Sequence, residues 1–355
     1  MKKSKKDKGR KIMELEGNEP GVVPVVEPPV ILPEPHPEPG PESVAGSTGE
    51  PTIDGPAESM AESPDETGEA LFAADAPQDQ EPAVAVVEVP VIPEPAPLTS
   101  HGPARVIAMV NQKGGVGKTT STVSLGAALA GYGRRVLLVD FDPQGALSVG
   151  LGQNPHELDL TVYNLLMQRE VRIEDVLLKT GVPGLDLLPG NIDLSAAEVQ
   201  LVSEVAREQT LARVLRPVLG DYDVVLIDCQ PSLGLLTVNA LAAADGVIIP
   251  LECEYFALRG VALLMDTIYR VQERINPRLE VEGILATMFD SRTLHGREVL
   301  ARVVDAFGDR VFHTVISRTV RFPETTVAGE PITTYASSST GAAAYRQLAR
   351  EVLAR

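Results

Sequence analysis

Two lysines, Lys113 and Lys118, bracket three glycines in the stretch Asn-Gln-Lys-Gly-Gly-Val-Gly-Lys-Thr-Thr at 111–120. Gly114, Gly115 and Gly117 let backbone N–H groups turn inward on phosphate oxygens, and a helix opening at this point adds partial positive charge. Lys118 then reaches the terminal phosphates and the Thr119 hydroxyl can ligate magnesium, with Val116 and Thr120 completing the nucleotide-contacting run. The usual phosphate loop begins with a glycine at the position where this chain has Gln112, and the additional Lys113 has no place in that pattern.

Hydrolysis needs carboxylates as well as a phosphate cradle. Asp-Tyr-Asp-Val-Val-Leu-Ile-Asp at 221–228 is an apolar run ending in Asp228, where a carboxylate can hold the shell of a magnesium ion, usually through water. Arg-Arg-Val-Leu-Leu-Val-Asp-Phe-Asp-Pro-Gln-Gly at 134–145 ends in Asp140 and Asp142. Ligands of open α/β sheets bind at the carboxyl ends of strands, which is where all three acids fall. Asp142, next to Pro143, is expected to position or activate the attacking water, and Asp140 to support the metal. The competing reading of such a pair is a helix cap.

The elements that must position these groups follow from the apolar pattern. Five short β-branched runs, at 105–111, 134–140, 221–228, 245–251 and 281–289, are apolar on both faces and read as buried strands. Helical stretches are expected at 118–132, 196–218, 234–243, 259–274, 294–307 and 340–354. The alternation implies an α/β fold with a mostly parallel, doubly wound sheet covered on both faces, in one domain over 104–355.

Residues 1–103 differ in kind. They hold 19 of the 29 prolines, and 7 basic against 20 acidic side chains put −13 of the net −18 there, leaving −5 for the remainder. Such a Pro/Glu-rich, aromatic-poor stretch cannot bury enough apolar surface to offset its ordering entropy and is expected to be a disordered acidic extension. It opens with a basic run, Met-Lys-Lys-Ser-Lys-Lys-Asp-Lys, that no apolar stretch follows, so it does not read as a signal peptide. It also carries an approximate repeat at 25–35 and 86–95, where prolines space short apolar islands in the manner of extended docking motifs for an unassigned partner. No run of apolar residues reaches bilayer-spanning length, and a membrane is not an expected partner. The two cysteines, Cys229 and Cys253, sit in apolar surroundings without metal-ligand spacing, as reduced structural thiols of a cytoplasmic protein would.

Together, Lys-Gly-Gly-Val-Gly-Lys-Thr-Thr, Val-Leu-Leu-Val-Asp-Phe-Asp-Pro-Gln-Gly, Asp-Tyr-Asp-Val-Val-Leu-Ile-Asp-Cys-Gln-Pro-Ser-Leu-Gly and Glu-Cys-Glu-Tyr-Phe-Ala-Leu-Arg-Gly resemble the deviant Walker ATPases of the ParA type, also called Soj, over roughly 104–355. The resemblance implies an ATP- and magnesium-dependent enzyme in which Lys113 crosses to a second subunit and contacts phosphate there. Gly114 would lie against that subunit, and ATP would sandwich a homodimer. It further implies nonspecific DNA binding through Arg292 and Arg321, hydrolysis stimulated by a ParB-type partner, and a place at the nucleoid in chromosome or plasmid segregation. Ser317 and Arg318 match the family segment near adenine. The chain departs from the family pattern at Gln230, commonly proline, at Arg259, commonly acidic, and along 317–331. A MinD-like ATPase positioning a membrane-associated or protein cargo is the alternative. An electron carrier is not expected, because Cys229 beside Asp228 is badly placed to share an iron–sulfur cluster.

Overall fold

The computed structural model describes residues 92–254 and 257–355. The strands are β1 (Arg105–Met109), β2 (Val136–Phe141), β3 (Leu178–Lys179), β4 (Leu185–Leu188), β5 (Val224–Cys229), β6 (Gly246–Glu252) and β7 (Glu280–Thr287). They form one sheet in the order β3-β4-β2-β5-β1-β6-β7, parallel throughout except for the short antiparallel β3 at its edge. The expected mostly parallel sheet is present.

Helices α1 (Lys118–Gly131), α2 (Ala146–Gly150), α3 (Val162–Met167), α4 (Ile173–Val176), α5 (Leu194–Gln200) and α6 (Thr210–Leu215) belong to the first half. The second half contributes α7 (Leu235–Ala243), α8 (Ala257–Arg274), α9 (Leu294–Phe307), α10 (Arg321–Ala328), α11 (Ile332–Tyr335) and α12 (Thr340–Ala354). Alternation along each strand separates two cores. Val106, Ala108 and Val110 face the layer of α3 to α9, whereas Ile107 and Met109 face α1 and α12. Every residue of β2 and β5 is buried, which is why those strands read as continuous apolar runs.

The single helix expected over 196–218 is not formed. The chain breaks into α5, two short 3-10 turns, α6 and a third 3-10 turn at Arg216–Val218, and Ala206 adopts a left-handed φ of 54° between α5 and α6. Val199, Val202 and Val205 supplied part of the helical periodicity, yet they are 74, 57 and 88% exposed, and Leu194, Ala197 and Leu201 are buried instead. β3, β4, α2, α3, α4, α10 and α11 were not anticipated; each is eight residues or shorter, too brief for a periodic signal.

The chain touches the body ahead of residue 104. Glu94 pairs with Arg350 at 2.9 Å, the Ala96 carbonyl accepts from Arg134, and Asp223 accepts from the His101 ring and the Gly102 N–H. The basic run, the first copy of the repeat and the expected disordered extension as far as residue 91 lie outside the described residues, as does the second copy up to that point. Among those described, no helix is long and apolar enough to cross a membrane.

Candidate functional site

β1 is flanked by β5 and β6, and β2 lies beyond β5, so the carboxyl ends of β1, β2 and β5 converge. The loop after β1 is braced on three sides. Asn111 donates its amide to the Pro250 carbonyl at 2.7 Å and accepts from the Lys113 N–H at 2.9 Å, and the Thr287 hydroxyl donates to the Val116 carbonyl at 2.9 Å. Gly115 and Gly117 take φ of 76° and 81°, the left-handed region that side chains disfavour, so glycine is required at both by the backbone alone. Gly114 differs: a Cβ there would meet nothing nearer than Pro231 at 4.0 Å, so one chain by itself leaves room for a side chain.

The two lysines part company. Lys118 is buried, and its ammonium folds inward to donate to the Lys113 carbonyl at 3.0 Å. Burial lowers its pKa, against the pull of Asp228 and Asp142. Lys113 turns outward, half-exposed, and pairs with Glu254 and with Glu252 at 3.3 Å. The bond to Glu254 is the main reason its ammonium is held above its usual pKa. Glu252 also receives Arg318 at 2.9 Å, so Arg318 stands at the loop's mouth, while Ser317 beside it is exposed. Gln112, Lys113, Glu252, Glu254 and Arg259 line a cleft of about 350 Å³ there.

On the inner side, Asp140 and Asp228 are register partners on β2 and β5, both fully buried. Ser148 of α2 binds one Asp140 oxygen twice, from its N–H at 2.8 Å and its hydroxyl at 2.6 Å. One oxygen of each carboxylate, Oδ1 of Asp140 and Oδ2 of Asp228, is buried without a partner. Burial raises the Asp140 carboxyl to about 6, and burial together with the neighbouring Asp140 raises Asp228 to about 8. At full ionisation Asp140, Asp142 and Asp228 face the single ammonium of Lys118, a formal −3 against +1 that a divalent cation would balance. The orphaned oxygens therefore fit magnesium. Such an ion takes one or two protein carboxylates and shares phosphate oxygens.

Thr119 and Thr120 are half-buried in the first turn of α1. Asp142, 9% exposed, accepts from the Gln144 N–H at 3.0 Å in a local turn, and it does not cap α2, whose N-cap is Gly145 with no side chain bonded to it. Arg292 and Arg321 are exposed and locally paired, with Asp290 at 2.7 Å and Glu324 at 2.8 Å. Backbone pairing of Phe289 with Ser317 and Arg318 sets the two segments that lead to them side by side. Thr122, whose hydroxyl lies 3.5 Å from Asp228, was missed because its partner is 106 residues away, and Ser148, only eight residues from Asp140, because it sits in a helix too short to be anticipated. Glu252 and Glu254 stood inside a quoted motif, but nothing in their spacing pointed back to Lys113.

A family model described as an AAA domain matches residues 104–281. An uncharacterised protein of Mycobacterium tuberculosis is 69% identical over 264 residues, 74% of this chain and 83% of its own length. The chromosome-partitioning ATPase Soj of Treponema pallidum is 51% identical over 251 residues, 71% of this chain and 98% of its own. A solved Mycobacterium smegmatis protein, described as a cobyrinic acid a,c-diamide synthase with bound ADP and magnesium, is 46% identical with a TM-score of 0.63, covering 70% of this chain and 94% of that one. With the phosphate loop, the strand-end carboxylates and the sheet order in place, the chain belongs to the Soj/ParA family of partitioning ATPases.

Proposed function

We propose that this ATPase is a partition switch: two copies sandwich ATP, the ATP-bound dimer holds DNA without sequence preference, and hydrolysis stimulated by a ParB-type partner releases it. It would act in the cytoplasm at the nucleoid, on a chromosome or plasmid. The observation that carries the reading is the opposite course of the two lysines. Lys118 serves the loop of its own chain, whereas Lys113 stands at the rim with its ammonium half-exposed, where phosphate bound by another chain can recruit it. Positive charge delivered to the triphosphate in that way stabilises the charge that develops in transfer, as an arginine finger does. The open space at Gly114 supports the same view, since it leaves this face of the loop free for a second chain to approach.

Within each protomer, Gly114 to Thr120 would cradle the nucleotide, and Thr119, Asp140 and Asp228 would hold magnesium, which neutralises phosphate charge. Asp142 keeps the role of positioning water, Ser317 and Arg318 that of meeting the base, and Arg292 and Arg321 that of contacting DNA. Both cysteines are buried, with burial pushing Cys253 up to about 11 and Cys229 higher still, so neither is placed as a reactive thiolate.

Binding of a random-sequence duplex, followed by anisotropy at two salt concentrations with magnesium and ATP, ADP or no nucleotide, tests the proposal. Binding that requires ATP and weakens steeply with salt is expected. Absence of binding in every state would remove DNA and leave a protein or membrane cargo.

A further inference from the structure

The segment from Gln230 to Gly234 joins β5, which carries Asp228 and ends in Cys229, to helix α7. Upstream, Asp228 is fixed by its sheet register with Met109 and Asp140. Downstream, the side chain of Gln230, only 9% exposed, donates its amide to both oxygens of Glu198, each at 3.2 Å. Glu198 comes from α5, an element remote in sequence from the loop it grips. Within the loop, the Ser232 N–H donates to the Gln230 carbonyl at 2.8 Å, the Gly234 N–H to the Ser232 hydroxyl at 3.2 Å, and the Thr237 hydroxyl to the Ser232 carbonyl at 2.8 Å.

The carboxylate also occupies space. A Cβ on Gly234 would fall 2.0 Å from Glu198 Oε1, so the acid fills the place a side chain would take at the start of α7, where unpaired N–H groups favour negative charge. On its other side the loop meets the phosphate cradle, since Pro231 is the nearest atom to a Cβ at Gly114. The loop is thus held between Glu198 and the phosphate loop, one residue beyond Cys229 and the orphaned carboxylate oxygen of Asp228.

We propose that Glu198, acting through Gln230, is a positioning residue that fixes the end of β5 so that Asp228 meets magnesium at a productive distance. This rests on Asp228 being a magnesium-shell carboxylate. Partners of this kind orient a ligand without touching the ion, and their loss typically costs ten-fold or more in metal affinity.

The test measures the affinity of a fluorescent ATP analogue in EDTA and across a magnesium titration, alongside thermal unfolding. Glu198→Ala and Gln230→Ala should each shrink the magnesium-dependent gain about ten-fold while leaving affinity in EDTA and the unfolding midpoint near wild type. The double variant should be no worse than either single one, because both cut the same tether. Glu198→Gln, whose carbonyl still accepts from Gln230, should retain the gain. An undiminished gain in both single variants, or effects that add, overturns the proposal. If Asp228→Ala loses the gain while Glu198→Ala keeps it, the tether alone falls; if Asp228→Ala keeps the gain, the reading of Asp228 falls with it.

Discussion

At the scale of single residues, Lys113 has two competing uses. Its ammonium is paired within the chain to Glu252 and Glu254, and it cannot serve another subunit's phosphate without leaving them. The Glu254 side chain is 55% exposed and that of Lys113 49%, so solvent screens their pair to about 1 kcal/mol or less. Glu254→Gln removes one hold and should lower the ATP concentration needed for dimerisation by up to about five-fold. Analytical ultracentrifugation across an ATP titration reads this directly, and a higher ATP requirement would mean that Glu254 supports the dimer. The placement of Lys118 and of the strand-end acids at the carboxyl edge of the sheet was legible in the sequence, because a phosphate loop and carboxylates at strand ends have local signatures. The grip of Glu252 and Glu254 on Lys113 was not. It joins the end of β6 to the loop after β1, and only the sheet order makes those neighbours.

Among the elements, α1 has to present Lys118 and Thr119 without moving, and α12 is what backs it. Tyr345 of α12 is 1% exposed, and its hydroxyl pairs with that of Ser121 in α1 at 2.9 Å, inside the core. Tyr345→Phe keeps the ring, whose edge meets Phe322 at 5.9 Å between centroids, but strands the Ser121 hydroxyl. A buried hydroxyl left alone costs about 1–2 kcal/mol, so chemical denaturation should show a lower midpoint with an unchanged slope. An unchanged midpoint would mean that Ser121 finds another partner. α1, α7, α9 and α12 lie within a residue or two of the expected bounds; α9 and α12 repeat an apolar stripe, whereas α1, buried over most of its length, and α7, apolar nearly all round, take their limits from the flanking loops. The failure at 196–218 is instructive for the opposite reason. Valines at helical spacing can stay in solvent when a backbone turn, here at Ala206, directs burial to a different set of side chains.

For the whole molecule the question is how an acidic chain could hold DNA. Residues 104–355 carry −5 in all, so broad attraction cannot supply the binding, and a local patch must. Arg292 and Arg321, the contacts proposed above, are both exposed, yet each already rests on its own acid, Asp290 or Glu324. Binding phosphate therefore exchanges one partner for another, and the gain comes mainly from counterions released from DNA, which makes salt the informative variable. If each arginine meets one phosphate, two subunits make four contacts, and log affinity should fall with log salt at a slope of about −3 to −4. Arg292→Ala takes away one contact per subunit. The slope should then become shallower by about two while ATP-dependent dimerisation is unchanged. Anisotropy across a salt series with ATP and magnesium measures it. An unaltered slope would place the phosphate contacts on another face, and the pair with Asp290 would then be only a surface ion pair of little energetic weight.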